Sequence, residues 1–233
     1  MAIRLYMEDI GNRIALAGAD FHYLARVMRI GVGDSVNIFN SEQGEFLATV
    51  AEVSKHSVTL LVGNQVRAPG TGNLPDLGLA FSPIRHTRQD SLIEHATELG
   101  VTRITPVLMR HSSNRAFNTD RAQLIVKEAA EQSGRLSLPV VKELEPFDKW
   151  LAKFDFKARR LVYLDCRPDA NELTANNLPA TILLGPEGGF SPEELSALAK
   201  TPAEAVTLGS LVLRSETAGL AALAIYNAEV RKW

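Results

Sequence analysis

The chain has 233 residues, of which 45% are hydrophobic and 22% are charged, and its formal net charge at pH 7 is −2. This composition is typical of one large or two modest globular domains, and because no apolar run approaches the ~20 residues that cross a bilayer, we expect no membrane insertion. The charge also excludes an overall basic surface of the kind that binds nucleic acid, so any RNA-binding surface must be local.

The amino-terminal segment and the cysteine count indicate the cellular compartment. Residues 1–8 include the acidic Glu8 and lack the long apolar core of a secretory signal, which favours a cytoplasmic location. Cys166 is the single cysteine of the sequence, so it can form neither an internal disulfide nor the multi-thiolate site that structural zinc usually requires. No metal is implied.

The first seventy residues combine a basic helix with closely spaced strands. Residues 21–29 have helical spacing and carry a basic stripe, formed by His22, Arg26 and Arg29. The stripe is either a binding surface or a solvated face with cations near a helix carboxyl end. Three apolar segments follow it, at residues 36–38, 46–50 and 57–62. Strands so short and so close together predict a small β-barrel.

A proline- and glycine-rich stretch at 68–75 predicts the boundary between a domain at 1–70 and a second domain at 74–233. Beyond it, short apolar runs alternate with amphipathic helices, which indicates parallel β-α-β units. The candidate strands are Leu77 to Phe81, Ile104 to Leu108, Leu161 to Leu164, Thr181 to Leu184 and Val206 to Leu208. One helical stripe ends at Gly100, and a second helix is predicted from Thr119, as its cap, to Ser133.

A glycine loop follows the predicted strand that ends at Leu184. The loop reads GPEGG at 185–189, and the helix after it has a complete capping box, with Ser191 as N-cap and Glu194 at the third position. The loop lacks the spacing of both phosphate-binding and dinucleotide-binding motifs. Its Glu187 would repel phosphate and would suit a cationic ligand such as a sulfonium nucleoside. The alternative is a tight strand-to-helix turn without a ligand.

A second glycine element follows the next predicted strand. Gly209 ends the strand, and the apolar residues after it could line an adenine pocket. Arg214 then stands directly before a final helix for which Ser215 is the expected N-cap. The alanine-rich face of this helix is either core or a dimer interface.

These segments resemble the RsmE family, bacterial methyltransferases of the knotted SPOUT superfamily that modify N3 of a uridine in 16S ribosomal RNA. The resemblance spans essentially the whole chain, including residues 22–29, 96–101 and 128–135. Its most specific part is the combination of GPEGGF at 185–190 with LRSETA at 213–218.

The resemblance implies an α/β fold in two parts. A PUA-like β-barrel for RNA binding comes first, and a SPOUT-type parallel-sheet domain with a carboxyl-terminal trefoil knot follows. In that family the knot loops bind S-adenosyl-L-methionine in a bent shape and two subunits form the site, so a homodimer is implied, with 16S rRNA of the small ribosomal subunit as substrate. The implied cofactor contacts are Leu184, Gly185, Pro186, Glu187, Gly188, Gly189, Leu208, Gly209, Ser210, Leu211, Leu213 and Thr217.

The reaction that the resemblance implies sets requirements on the site. Methylating uridine N3 removes a proton while negative charge spreads onto the base carbonyls. Arg214 suits the stabilisation of that charge, because a guanidinium stays protonated. Glu187 and Glu216 are both candidates for the proton acceptor, and Glu216 could equally be a favourable acid in the first turn of a helix.

Local clusters of basic residues predict an RNA surface across both domains. Its members are Arg26, Arg29, Arg85, Arg88, Arg110, Arg115 and Arg135. Any single one of them could instead be a solubilising charge.

Two rival functions remain open. One is another SPOUT methyltransferase that acts on tRNA or on a ribose 2′-hydroxyl. The other is a non-catalytic RNA-binding assembly factor, since Arg85 and His95 stand where many family members have a lysine. These departures affect substrate contacts more directly than the reaction.

Overall fold

The computed structural model describes residues 3–71, 74–165, 171–174 and 179–231. Contacts between its Cα atoms divide the chain into two compact units. Unit 1 contains residues 1–73 together with 130–137, and unit 2 contains 74–129 and 138–233. Cys166 lies outside the described residues.

Unit 1 is built on a five-stranded sheet with the order β1-β3-β4-β5-β2. Its strands are β1 (Arg4–Tyr6), β2 (Arg13–Leu16), β3 (Ser35–Asn40), β4 (Gly44–Val53) and β5 (Val58–Arg67). β1 is parallel to β3 and the other pairs are antiparallel. Register shifts between β4 and β5 bend the long central strands, as β-bulges do. The three predicted strands are confirmed, and β1 and β2 complete the sheet at its edges.

The basic helix of unit 1 differs from its prediction. α1 (Gly18–His22) passes directly into a π-helical turn over Tyr23–Val27. Arg29 follows this turn with a positive φ of 55°, so it is not part of a helix. The wider π turn and the left-handed residue change the spacing, and a single stripe of helical period is therefore wrong for residues 21–29.

A buried carboxylate organises the charged interior of unit 1. Glu45, on β4, is 2% exposed and accepts hydrogen bonds from Arg4 (2.9 Å), Arg67 (3.1 Å) and Asn37 (2.9 Å). Arg4 also donates to backbone carbonyls of Ala130, Glu131 and Arg135, and Arg67 donates to that of Gly134. Residues 130–137 therefore belong to unit 1 through the two arginines that pair with Glu45.

Unit 2 contains an eight-stranded parallel sheet. Seven strands follow the order β11-β13-β10-β12-β6-β7-β8, and β9 pairs with β7. The strands are β6 (Leu77–Phe81), β7 (Arg103–Leu108), β8 (Val140–Val141), β9 (Glu145–Pro146), β10 (Arg160–Leu164), β11 (Asn171–Glu172), β12 (Ala180–Leu184) and β13 (Glu204–Thr207). β6 and β12 are buried at every position, as expected for strands covered on both faces.

Helices cover both faces of this sheet. The helices are α2 (His86–Glu98), α3 (Thr119–Ser133), α4 (Phe147–Ala152), α5 (Pro192–Ala199) and α6 (Ser215–Arg231). Residues of α2, α3 and α6 share one apolar core with Leu79 and Ile182, whereas α4 and α5 share another with Ala80 and Leu183. Alternate residues of one strand therefore point to opposite helical layers.

The helix boundaries test the predicted caps. The capping box of α5 is confirmed, because Ser191 accepts from the N–H of Glu194 and Glu194 accepts from that of Ser191. The cap of α3 is one residue earlier than predicted, since the Asn118 side chain accepts from the N–H of Arg121. Among helices of the described residues, none is long and apolar enough to span a bilayer. The trefoil knot stays a prediction.

Candidate functional site

The two glycine elements follow β12 and β13, which are parallel to β10 between them. Carboxyl ends of parallel strands lie at one edge of a sheet, where ligands of such sheets bind. The Ser215 hydroxyl donates to the carbonyl of Gly185 at 3.0 Å and so connects the start of α6 to the first glycine loop. Ser215 is therefore not the N-cap that we predicted, because α6 begins at Ser215 itself and the hydroxyl serves the neighbouring loop.

Hydrogen bonds fix the first glycine loop at both ends. The N–H of Gly189 donates to the carbonyl of Pro186 at 2.8 Å, and Gly189 has a φ of 72°. This left-handed conformation is unfavourable for a side chain with a Cβ, which explains a glycine at this turn. The ring of Phe190 packs edge-on against Tyr163, 5.7 Å between centroids, in the same apolar core as Leu195. Phe190 thus anchors the end of the loop on the sheet.

The second loop presents apolar side chains to solvent. Gly209 turns the chain with a φ of 107°, and its N–H donates to the Thr207 hydroxyl at 3.3 Å. Leu211 and Val212 are 78% and 86% exposed, the highest values among the large exposed apolar side chains. The tip of this loop therefore carries two adjacent exposed apolar side chains.

Arg88 connects the two carboxylates predicted to act in catalysis. Its guanidinium lies 2.9 Å from Glu187 of the first loop and 3.6 Å from Glu216 of α6. The Glu216 side chain is 17% exposed, and its Oε2 atom is buried without a hydrogen-bond partner among the described residues. Sequence analysis assigned Arg88 to RNA binding and missed this ion-pair arrangement.

Arg214 is placed differently from Arg88. It immediately precedes α6, where its carbonyl accepts the N–H of Ala218 at 2.8 Å. Its side chain is exposed, and within the described part of the chain no hydrogen bond or ion pair engages it. Arg214 is thus a cation at the glycine loops that is available to an incoming group.

His111 contacts the first glycine loop, a contact that the sequence did not predict. The ring Nδ1 of His111 lies 3.0 Å from the Gly189 carbonyl, and its Cβ would be 3.1 Å from a Cβ added to Gly188. The next residue, Ser112, accepts from the N–H of Met109 and shares a hydrogen bond with Ser82. His111 follows β7 at the same edge of the sheet. Its position shortly after a predicted strand was the feature of the sequence that could have indicated a place near the glycine loops. In the described part of the chain, no group of three or more His, Cys, Asp or Glu side chains could hold a metal ion.

The predicted RNA-binding arginines divide by exposure. Five are exposed: Arg26, Arg29, Arg85, Arg110 and Arg115. Arg135 is buried, and its Nε donates to the Ser137 carbonyl. We therefore leave Arg135 out of the RNA surface. His95 is an exposed residue of α2, with its Nδ1 2.7 Å from the Ser91 carbonyl.

Comparison with known proteins matches both units. Residues 72–227 match a family model described as an RNA methyltransferase domain, and residues 16–63 match an RNA methyltransferase PUA domain. The chain is 33% identical over 210 residues to ribosomal RNA small subunit methyltransferase E of Rickettsia conorii, covering 87% of this chain and 84% of the relative. The protein of that name from a Synechocystis species is 33% identical over 244 residues, covering 98% and 78%. A crystal structure of the Neisseria gonorrhoeae protein of that name, bound to S-adenosyl methionine, has a TM-score of 0.85 at 25% identity, with 98% of each chain covered.

Proposed function

This chain belongs to the RNA methyltransferase family, and on that premise we propose that it transfers the methyl group of S-adenosylmethionine to N3 of a uridine in 16S rRNA. The observation that carries the proposal is the pair of glycine loops, of which the first is bonded through the Gly185 carbonyl to Ser215 at the start of α6, directly after Arg214. Both relatives quoted above are named for the small-subunit ribosomal RNA. We place the reaction in the cytoplasm, where ribosomal subunits are made.

The residues of the two loops fit S-adenosylmethionine chemically. Leu211 and Val212 offer apolar surface to an adenine ring. Glu187 and Glu216 are carboxylates that would attract the positively charged sulfonium and amino groups of a bound cofactor. The bound cofactor would supply an electrophilic methyl group, and the remaining roles fall to the protein.

Arg214 is the group that we assign to charge stabilisation. When the imino proton leaves N3 for the proton acceptor, negative charge develops on the carbonyl oxygens of the base, and this charge is lost again when N3 takes the methyl group. A guanidinium without a carboxylate partner can donate to these oxygens as the charge appears. Arg214 remains protonated throughout and is therefore not the base.

Between the two candidate proton acceptors, we favour Glu216. Glu187 is more exposed and accepts a hydrogen bond from Arg88 at 2.9 Å, whereas Glu216 forms only an ion pair with Arg88, at 3.6 Å, and has an oxygen without any donor among the described residues. A free acceptor oxygen is what a proton acceptor needs. Arg88 acts here as a positioning residue, because it holds both carboxylates from α2.

We further infer a homodimer and a basic RNA surface. The exposed apolar tip at Leu211 and Val212 is of the kind that a second copy of the chain would cover. The five exposed arginines named above are the proposed phosphate contacts, and such contacts weaken as salt rises.

The decisive experiment is methyl transfer to small ribosomal subunits from cells that lack this protein. The purified chain and S-adenosylmethionine should produce a 3-methyluridine in 16S rRNA, detected by mass spectrometry of nucleosides. A 2′-O-methylated nucleoside, or transfer to tRNA alone, would instead identify another specificity. Absence of cofactor binding in calorimetry would favour a non-catalytic RNA-binding protein.

Replacing Arg88 with glutamine should separate positioning from folding. The Arg88→Gln substitution removes the cation between Glu187 and Glu216, and we expect kcat/KM for methyl transfer to fall about tenfold, the effect of one lost charge-assisted hydrogen bond. The melting temperature should change little, because the ion pair is partly exposed.

The matched control is Arg121→Gln. Arg121 pairs with Asp90, also on α2, at 2.6 Å but away from the glycine loops. This variant should retain full activity. Equal activity of the two variants would show that Arg88 does not position the carboxylates.

A further inference from the structure

A groove lies at the edge of the unit 2 sheet opposite the glycine loops. We name it the strand-entry groove, because the strands beside it begin there. Asp76 precedes β6, Arg103 begins β7, Thr181 is the second residue of β12, and Arg159 precedes β10. The segment from Lys142 through α4 to Ala158 forms its other wall. The cavity has a volume of about 910 Å³, large enough for a nucleotide-sized ligand.

Each acidic side chain of the strand-entry groove already has a partner. Asp76 accepts from Arg159 and Thr102. Glu145 pairs with Lys153, Glu143 accepts from Thr119, and Asp155 accepts from backbone N–H groups in its own turn. Burial raises the pKa of Asp76, but its hydrogen bonds from Thr102 and Arg159 and the charges of Arg159 and Arg103 lower it overall, so this carboxylate stays charged. The acids are thus engaged within the protein.

Three cations of the groove remain without such partners. Among the residues that the structure describes, Arg103, Lys142 and Lys149 have neither an ion pair nor a side-chain hydrogen bond. In addition, the Nε atoms of Arg103 and Arg159 are buried without an acceptor, and the Arg159 side chain is only 10% exposed. Buried cationic donors without acceptors are unfavourable unless an anion satisfies them.

The aromatic side chains in the wall of the groove indicate what kind of anionic ligand would fit there. Trp150 and Phe154 line the groove, with their rings 5.4 Å apart between centroids. A phosphate carries the charge to match several cations, and an attached nucleoside offers a flat apolar surface to aromatic side chains. The glycine loops lie at the other end of the strands, where β12 and β13 end.

We propose that the strand-entry groove is a second binding site of this protein and that it takes a phosphate group, carried by an RNA backbone or by a free nucleotide. The RNA source depends on the proposed function, whereas the free nucleotide does not. The site is separate from the glycine loops, so its loss should leave cofactor binding unchanged.

The test measures binding to the full chain and to two charge-matched variants. The groove variant carries Arg103→Gln and Lys142→Gln, and the control carries Lys55→Gln and Lys200→Gln, two exposed lysines outside the segments that form the groove. The probes are a fluorescein-labelled hexauridylate, uridine monophosphate and inorganic phosphate. A Trp233→Phe background leaves Trp150 as the sole tryptophan, whose fluorescence reports on the groove.

We expect the groove variant to bind its probe about tenfold more weakly in low salt. For hexauridylate, the slope of log affinity against log salt should fall by about 1.4, which corresponds to two lost phosphate contacts on a single strand. The control should lose neither. If uridine monophosphate and phosphate bind as tightly as hexauridylate, the ligand is a free phosphate compound, and if only the oligonucleotide binds, it is RNA.

Two results would overturn the proposal. The first is an equal loss of probe affinity in both variants, which would mean a general charge effect. The second is that no probe changes the fluorescence of Trp150 in the chain without the substitutions at the groove. Calorimetric titration with S-adenosylmethionine keeps this outcome distinct from failure of the proposed function, because both variants should bind the cofactor like the wild type.

Discussion

Replacing Arg214 with alanine should lower kcat for methyl transfer to 16S rRNA by about 10²- to 10³-fold, while the dissociation constant for S-adenosylmethionine stays unchanged. The magnitude is that of removing one donor aimed at a developing oxyanion. The expectation follows from its free guanidinium immediately before α6, next to Ser215, whose hydroxyl donates to the Gly185 carbonyl of the first glycine loop. Single-turnover transfer and calorimetry measure the two quantities separately.

Two companion variants sharpen the Arg214 prediction. Arg214→Lys should recover part of the rate, since it restores the charge without the planar fork of donors. Arg13→Ala removes an exposed arginine of unit 1 and should retain the wild-type rate. If Arg214→Ala turned over at the wild-type rate with normal cofactor binding, charge stabilisation would have to come from another residue.

Replacing Glu45 with alanine should destabilise unit 1 by about 3–5 kcal/mol, the range measured when one partner of a buried ion pair is removed. The substitution leaves Arg4 beneath the sheet without its carboxylate, and it removes the acceptor that orients both Arg4 and Arg67. Hydrogen exchange at the amides of β3 to β5, followed in urea, measures the effect in unit 1 alone.

A second glutamate on the same strand provides the control. Glu52 pairs with Arg13 at 3.8 Å, and both side chains are more than 60% exposed. Glu52→Ala should therefore change the free energy of unfolding by less than about 0.5 kcal/mol. Equal effects of Glu45→Ala and Glu52→Ala would contradict the assigned role of the buried network.

The same network predicts a pH dependence. Burial would raise the pKa of Glu45, but hydrogen bonds from Arg4 and Asn37 and the charges of Arg4 and Arg67 lower it below the ordinary value of 4.5. A lowered pKa in the folded state means that Glu45 stabilises unit 1 above about pH 4.5 and that this contribution is lost as the pH falls through the folded pKa. In Glu45→Gln, acid unfolding should depend less steeply on pH in that range.

The strands at the centre of unit 2 could be predicted from sequence because each is a continuous apolar run. β6 has the predicted bounds, and β12 differs from its prediction by one residue. The predicted start of β13, at Val206, is two residues later than its observed start at Glu204, because Glu204 and Ala205 do not continue the apolar run. β1 and β2 are only three and four residues long and include arginines, so they gave no periodic signal.

The side-chain contacts of the site were less accessible to sequence analysis. Helical spacing describes Arg88 within α2 but carries no information about Glu187 on a loop 99 residues away. Ser215 had the right residue type for a cap, yet the Gly185 carbonyl competes for its hydroxyl, and this contact exists only after β12 and α6 come together. The glycine turns and the capping box of α5 were predictable because their causes are local.

Unit 1 is formed by two separate parts of the chain, residues 1–73 and residues 130–137, so it cannot fold completely until the second part has been synthesised. Arg4 is synthesised 126 residues before the Ala130 carbonyl to which it donates, so at about 5–20 residues per second a ribosome needs roughly 6 to 25 seconds to supply that acceptor. During this interval the carbonyls of residues 130–135 that accept from Arg4 and Arg67 do not yet exist. The amino-terminal sheet can therefore reach its final state only after residues 74–129 of unit 2 have been translated.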